Sequence, residues 1–376
     1  METVKLSAVL WRCLRAQALL EPVESVEKAA VAAAGIYGAA PTTYLSCAAR
    51  VRDFAPEQLD RALFERRSLV RVPAMRGSIY LLPPELVPHG LALADQGFFA
   101  AFRTAGVTEA SYAGLASSIE ALLRERPKTV QEIRAGLTTW RERVPGTLNL
   151  LLRQMSHDSR IVRGRVRGGW RSQEFEYALL KDWVPMPAKL PTVIQALQRL
   201  APLYFAAHGP ATLADFAWWA GVSELTAKSA LERLELENVF MDKLRGIHLA
   251  TRESLDQLSS APAKWDSLKL LPYWDAYVMA HADRHRYLDS KWEDRVVDPG
   301  GNVTNVILRA GRVAGVWDHQ GTQLRFAPFE MLRAQAVRGA AAPFARLLEV
   351  RDIVEARSTK PLSAKGQNAF QGPISM

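Results

Sequence analysis

The stretch RRSLVRVPAMRGSIYLLPP, residues 66–84, decides how this chain is read. It follows a helical pattern over residues 56–67 and then changes period. Val70 and Val72 alternate with Arg71, and Ile79 and Leu81 alternate with Tyr80. Met75-Arg76-Gly77 separates the two runs, where a tight turn needs a small residue. A helix running into a short two-stranded ribbon with arginines at the bend is how a winged helix ends. On this reading Arg66, Arg67, Arg71 and Arg76 are candidates for contact with nucleic acid.

Two later segments repeat the pattern with different residues. In the first, Thr129 caps a helix whose Val130, Ile133 and Leu137 face inward, and Gly136 ends it. A helix over 147–157 buries Leu148, Leu151, Leu152 and Met155, and a hairpin follows in which Ile161, Val162, Val166 and Trp170 pair with Phe175, Tyr177 and Leu179. Arg153, Arg160, Arg163, Arg165, Arg167 and Arg171 are offset only by Asp158 until Glu174 is reached. Such a run is ordinarily a solvated hairpin, but on a wing it also suits phosphate binding, which makes Arg153, Arg163, Arg165 and Arg167 candidates.

The other repeat follows a Pro-rich linker, VPMPAKLP at 184–191. A helix to about residue 207 is stopped by His208-Gly209-Pro210. Next come a helix over 212–220 with Leu213, Phe216 and Trp219 inward, a turn at Gly221, a cap at Ser223, and a second helix carrying Leu225, Ala227, Ala230, Leu231 and Leu234. The wing at 239–250 offers Lys243 and Arg245. The second helix carries Lys228 and Arg233 but also Glu224, Glu232, Glu235 and Glu237, a poor composition for a groove reader, so scaffold is an alternative reading of this unit.

Around these units the chain begins with helices over 6–20 and 23–36, the second capped by Ser25, and a short helix restarts near Thr43. Further helices are expected at 85–103 and 109–125. Past residue 266 the character changes: the segments from Leu268 to Leu288 and from Gly300 to Gln320 read as strands, with a closing helix over 329–355 bent near Pro343. The expected fold is mainly α with β: winged helices at 1–84, 85–183 and 191–260, a β-rich part at 266–357, and a disordered tail at 358–376.

At 376 residues the chain exceeds one ordinary core. A formal net charge of +9 favours an acidic partner, duplex nucleic acid first and anionic membrane second. Cys13 and Cys47 each sit in an apolar helical pattern with no second ligand at metal spacing, so neither a disulfide framework nor a zinc site is implied. Lys5, Arg12 and Arg15 break the only run resembling a signal core, and no run reaches the roughly 18 apolar residues of a membrane span. A reduced cytoplasmic, nucleoid-associated location is expected.

Four motifs in order now carry a resemblance: LFERRSLVRVPAMRGSIYLLP (63–83), YFAAHGPATLADFAWWAGV (204–222), LLPYWDAYVMAHADR (270–284) and VILRAGRVAGVWDH (306–319). The chain resembles the bacterial winged-helix DNA glycosylases of the AlkZ/YcaQ type over nearly all of residues 5–350. The resemblance implies tandem winged helices forming a concave basic channel for duplex DNA, with no metal, cofactor or obligate protein partner. Family members excise alkylated bases or unhook interstrand crosslinks, and some protect producers of DNA-damaging natural products.

The family's catalytic Gln-x-Gln or Gln-x-Asp maps onto Tyr37-Gly38-Ala39, inside GIYGAAP at 35–41, so both catalytic positions depart. Tyr80 stands where relatives often carry a histidine. Base excision needs a group that orients water and stabilises positive charge on the sugar. A tyrosine with an ordinary pKa near 10 is a poor base at neutral pH, and Ala39 offers nothing. Tyr37 reads either as a catalytic group or as an aromatic pocket wall. Asp275 and Asp283 read as members of an ion-pair network with Arg284, His285 and Arg286, and His208 as a helix-terminus group. Trp218 and Trp219 fall at core spacing, with base stacking by Trp218 as the alternative. Two functions remain: a glycosylase acting on alkylated or crosslinked DNA, and a non-catalytic protein of the same fold that binds, sequesters or senses such DNA or acts as a regulator.

Overall fold

The computed structural model describes residues 2–38, 41–94, 102, 107–138, 148–172, 174–356, 358–359, 361–362 and 374–375. Ala39 lies outside the described residues, as do residues 95–101 and 103 of the expected helix at 85–103, of which Val87–Ala92 is helical. No helix among those described is long and apolar enough to cross a membrane.

The helix before the ribbon runs Pro56–Asp60 and continues as a π-turn, Arg61–Glu65. Val70–Pro73 then pairs antiparallel with Ile79–Leu82, setting Val72 opposite Tyr80. The bend between them places Arg76 at φ +54° and Gly77 at φ +64°. A third strand, Ile36–Tyr37, was expected as the end of a helix. The helix instead stops at Val26–Ala32, and Gly35 at φ +102° turns the chain into the sheet, where Tyr37 lies opposite Tyr80. A Cβ at Gly35 would come within 3.1 Å of the Tyr80 ring, so only glycine reaches this turn without displacing it.

The second module has its own core, in which Tyr112, Leu115 and Ile119 of Glu109–Glu125 meet Ile133, Leu151, Leu152 and Met155. Thr129 accepts a hydrogen bond from the Glu132 amide (3.3 Å) and caps Val130–Gly136 as expected. The hairpin pairs Ile161–Arg167 with Glu174–Leu179, with an irregularity between Arg163 and Val166. That bulge lets the distal half of the hairpin leave the core.

In the third module Thr212 and Ser223 cap Leu213–Ala220 and Glu224–Leu231, and Gly221 turns between them at φ +78°. Its wing, Glu237–Met241 with His248–Ala250, gains a parallel third strand from the chain's start, Glu2–Val4. The first helix, Leu6–Ala16, follows that strand, so residues 2–16 join the third module and the C-terminal sheet in space, not the first winged helix. Arg12 explains the attachment. Its guanidinium donates to the carbonyls of Ala206 and Gly209, and Gln17 donates to that of Ala207 at 3.2 Å. These acceptors end the helix Val193–His208, and orphan carbonyls there favour a cation. The ribbon of the first module also packs on this module: Val70, Val72 and Leu82 share a core with Leu197, Tyr204, Phe205 and Trp219.

The C-terminal part is a five-stranded sheet in the order Leu268–Leu271, Val306–Arg309, Arg312–Gln320, Gln323–Pro328, Asp352–Glu355, covered by Ala334–Leu348. The expected long strand after Leu268 ends at Leu271. Asp275 and Asp283 accept hydrogen bonds from the amides of Tyr277 (3.0 Å) and His285 (2.9 Å) and convert the remainder into short helical turns. In the expected disordered tail, Ser358–Thr359 pairs with Ile374–Ser375, and the residues at 363–373 lie outside the described ones.

Candidate nucleic-acid interface

Where the first, third and C-terminal units meet, a cavity of about 350 Å³ opens beside Tyr37. The pairing of Ile36–Tyr37 with the ribbon aims the Tyr37 ring here, with Tyr80 edge-on at 6.2 Å between centroids and Trp274 at 4.5 Å. Trp218 forms another wall, and Trp219, buried in the core, also lines the cavity. Arg76 and Arg284 supply the charge, and Ser78 and Asn302 the neutral polar groups. Among the described lining residues there is no carboxylate and no histidine.

Trp274 is held at both ends. Its backbone sits at φ +59°, its amide donates to the Val303 carbonyl (3.1 Å), and its indole N–H donates to Asn302 Oδ1 (2.7 Å). The Asn302 amide in turn donates to both oxygens of Asp298, at 3.1 and 2.9 Å, so this carboxamide is committed to holding the wall. Next to Trp274, Asp275 is fully buried and receives a bidentate pair from Arg50 at 2.7 and 2.6 Å, plus the Ser46 hydroxyl at 3.1 Å. Its cation is therefore Arg50 of the first module, not Arg284 or Arg286 as expected. Asp283 is hydrogen-bonded to His285, at 2.7 Å, on the surface.

Tyr37 is half-buried, and its hydroxyl is pushed up to about 12, first by burial and then by Tyr80, against the pull of Arg163, Arg153 and Arg76. At neutral pH it is protonated and can donate or accept a hydrogen bond. His208 is buried at the end of its helix, and burial together with His281 and Arg286 holds it well below the usual imidazole range.

The candidate cations separate into distinct environments. Arg153 and Arg165 are exposed, Arg163 is half-buried with its guanidinium 4.5 Å over Phe175, and Arg165 lies 5.3 Å over Phe64. Arg153, Arg163 and Arg76 are near enough to act on Tyr37 electrostatically, although of the three only Arg76 lines the cavity. Arg167 is exposed but paired with Glu176. Arg66 pairs with Glu27 at 2.8 Å, and Arg67 donates to the Asp182 carbonyl (2.7 Å) over Trp183. Lys243 and Arg245 are exposed, and Lys243 lines a different cavity with Trp265 and Arg312.

Arg71 is a correction. It is 3% exposed, its guanidinium 5.9 Å from the Tyr44 and Phe64 rings, and a phosphate cannot reach it there. The ribbon is covered on both faces, so alternation did not mark a solvent side. Sequence reasoning missed Arg50, Trp274, Arg284 and Asn302 as parts of the site. Trp274 and Arg284 fall within the motif at 270–284, but nothing local marks which cavity they face.

A family model described as DNA glycosylase AlkZ-like matches residues 29–350. An interstrand DNA cross-link repair glycosylase of Streptomyces sahachiroi is 27% identical over 321 residues, 74% of this chain and 79% of that protein. The solved structure of the Streptomyces sahachiroi DNA glycosylase AlkZ matches with a TM-score of 0.79 at 22% identity, covering 94% of this chain and 99% of that one, a likeness of fold. With the matched span running from the first module through the C-terminal sheet, the chain belongs to the AlkZ-like DNA glycosylase family.

Proposed function

We propose that this protein binds damaged duplex DNA across its second module and receives a nucleobase of the damaged site in the Tyr37 cavity, where the base is held, not hydrolysed. The relative named for interstrand cross-link repair points to alkylated or crosslinked duplexes as the lesion class. Arg153, Arg163 and Arg165 supply the sequence-independent phosphate contacts. A nucleoid location follows from that role.

One observation carries the reading: the cavity has aromatic walls and two guanidinium groups, with no carboxylate or imidazole among its described lining residues. Aromatic faces stack on any base. Scission of an N-glycosidic bond builds positive charge on the sugar, which a carboxylate stabilises and a guanidinium opposes. Neither the phenol of Tyr37 nor the committed amide of Asn302 supplies a base at neutral pH. Family membership favours a second reading, excision confined to bases whose bond alkylation has already labilised.

Fluorescence anisotropy on matched duplexes, one carrying an N7-alkylguanine, tests binding. The reading expects tighter binding of the lesion duplex and loss of that preference in Trp274→Ala. Equal affinity for both duplexes contradicts it.

A further inference from the structure

Two guanidinium groups of the Tyr37 cavity share one indole. Arg76 lies over the Trp218 indole, 3.8 Å from its centroid, and Arg284 approaches the same ring at 5.9 Å. Stacking fixes the plane of a guanidinium and leaves its N–H edge for a ligand. The Arg76 position is itself fixed. Its backbone is left-handed at φ +54°, and Gly221 of the helix-turn-helix packs so close that a Cβ there would stand 3.0 Å from it.

Both side chains have donors to spare. Arg76 gives a hydrogen bond to the Met279 carbonyl at 3.3 Å. Arg284 gives one to the Gly301 carbonyl at 3.1 Å and stands 3.9 Å from Glu293. The Nε of each is shielded from solvent and has no partner among the described residues. A guanidinium presents five N–H groups, so it is the terminal nitrogens of each side chain, not the shielded Nε, that keep donors for a ligand beyond the bonds made within the protein. The part of the rim formed by Gly300 and Gly301 carries no side chains to fill the space.

We infer that Arg76 and Arg284 form a phosphate subsite, and that the cavity takes one whole nucleotide, base against Tyr37 and Trp274 and phosphate on the two guanidinium groups. This rests on the reading of the cavity as a nucleobase pocket and adds the ligand class: a deoxynucleoside monophosphate unit, free or within a strand. Planar, paired guanidinium groups match the geometry of a phosphate.

Calorimetric titration of the full chain with dGMP, deoxyguanosine and inorganic phosphate tests it. The expected result is dGMP binding at least about tenfold tighter than either other probe, a difference of the size that charge-assisted phosphate contacts give. Arg284→Gln, with its melting temperature checked, brings dGMP down to the level of deoxyguanosine, and Arg284→Lys restores part of the loss. Arg76→Gln repeats the effect from the other side of the indole. The inference is overturned if dGMP binds no tighter than deoxyguanosine, if inorganic phosphate binds as well as dGMP, or if folded Arg284→Gln leaves dGMP unchanged. Failure of these titrations while lesion-selective duplex binding persists removes the subsite alone. Loss of lesion preference with dGMP binding intact keeps the subsite and removes the wider reading.

Discussion

The ribbon at 70–82 and the hairpin at 161–179 carry the same pattern, valines alternating with arginines before a turn, and the molecule uses them in opposite ways. In the ribbon every residue of Val70–Pro73 is buried, Arg71 included, because the third module covers one face and the first module's helices the other. The ribbon thereby becomes the rigid floor that presents Tyr80 and Tyr37 to the cavity. In the hairpin only the proximal half is buried, and the bulge after Arg163 carries Arg165 and Arg167 into solvent. An arginine in an alternating strand is thus no guide to its solvent side until the packing of both faces is known.

The comparison breaks most visibly if buried and exposed arginines respond alike. Arg50→Ala leaves the Asp275 carboxylate buried and unpaired, and is expected to cost about 3–5 kcal/mol in urea unfolding. A loss below about 1 kcal/mol would mean that this pair does not clamp the first module to the C-terminal part.

Acid should act on the buried side too. His208 and His281 are fully buried and held well below the usual imidazole range, first by burial and then by neighbouring cations and, for His208, by His281. The unfolded chain takes up protons below about pH 6.5 that the fold refuses, so stability is full above that pH and falls as pH drops towards the folded values. Together the two histidines set a slope of up to about 2.7 kcal/mol per pH unit in that window. Urea titrations between pH 5 and 8 in about half-unit steps read it directly, and a flat profile would contradict the buried, neutral assignment.

On the exposed side, reversing Arg163 and Arg165 to glutamate should leave the melting temperature nearly unchanged. Duplex binding should weaken by about tenfold or more at any sequence, and the slope of log K against log salt should flatten by about two, near 0.9 for each lost phosphate contact. Unchanged binding would remove this wing from the DNA surface. Arg71→Met sharpens the contrast, since it should lower stability without altering that slope. Smallest of all, Tyr37→Phe should change lesion-duplex affinity by about two- to threefold, the low end of what one hydrogen bond contributes. Because the phenol is held near 12, affinity should not titrate through Tyr37 between pH 6 and 9.

Much of the architecture was legible because it is written in local chemistry. Ser25, Thr129, Thr212 and Ser223 announce helix starts, Gly221 a left-handed turn, and the change from helical to two-residue period marks each wing. What stayed hidden is long-range. The parallel pairing of Glu2–Val4 with Glu237–Met241 joins residues more than two hundred positions apart, and no local pattern encodes it. The same holds for Arg50 with Asp275. Asp275 and Asp283 were read within strands because the apolar run around them is continuous, and their capping oxygens won. In the site itself Tyr37 was placed by the resemblance, while the indole that faces it and the arginines on Trp218 needed the folded chain.

The central claim, that this family member holds a base it does not release, is tested most directly by single-turnover base release from an N7-alkylguanine duplex, with wild type compared to Tyr37→Gln/Ala39→Gln. The account predicts saturating duplex binding by wild type with abasic sites forming only at the spontaneous rate, and release appearing in the double variant. Enzyme-dependent release by the wild type would contradict it.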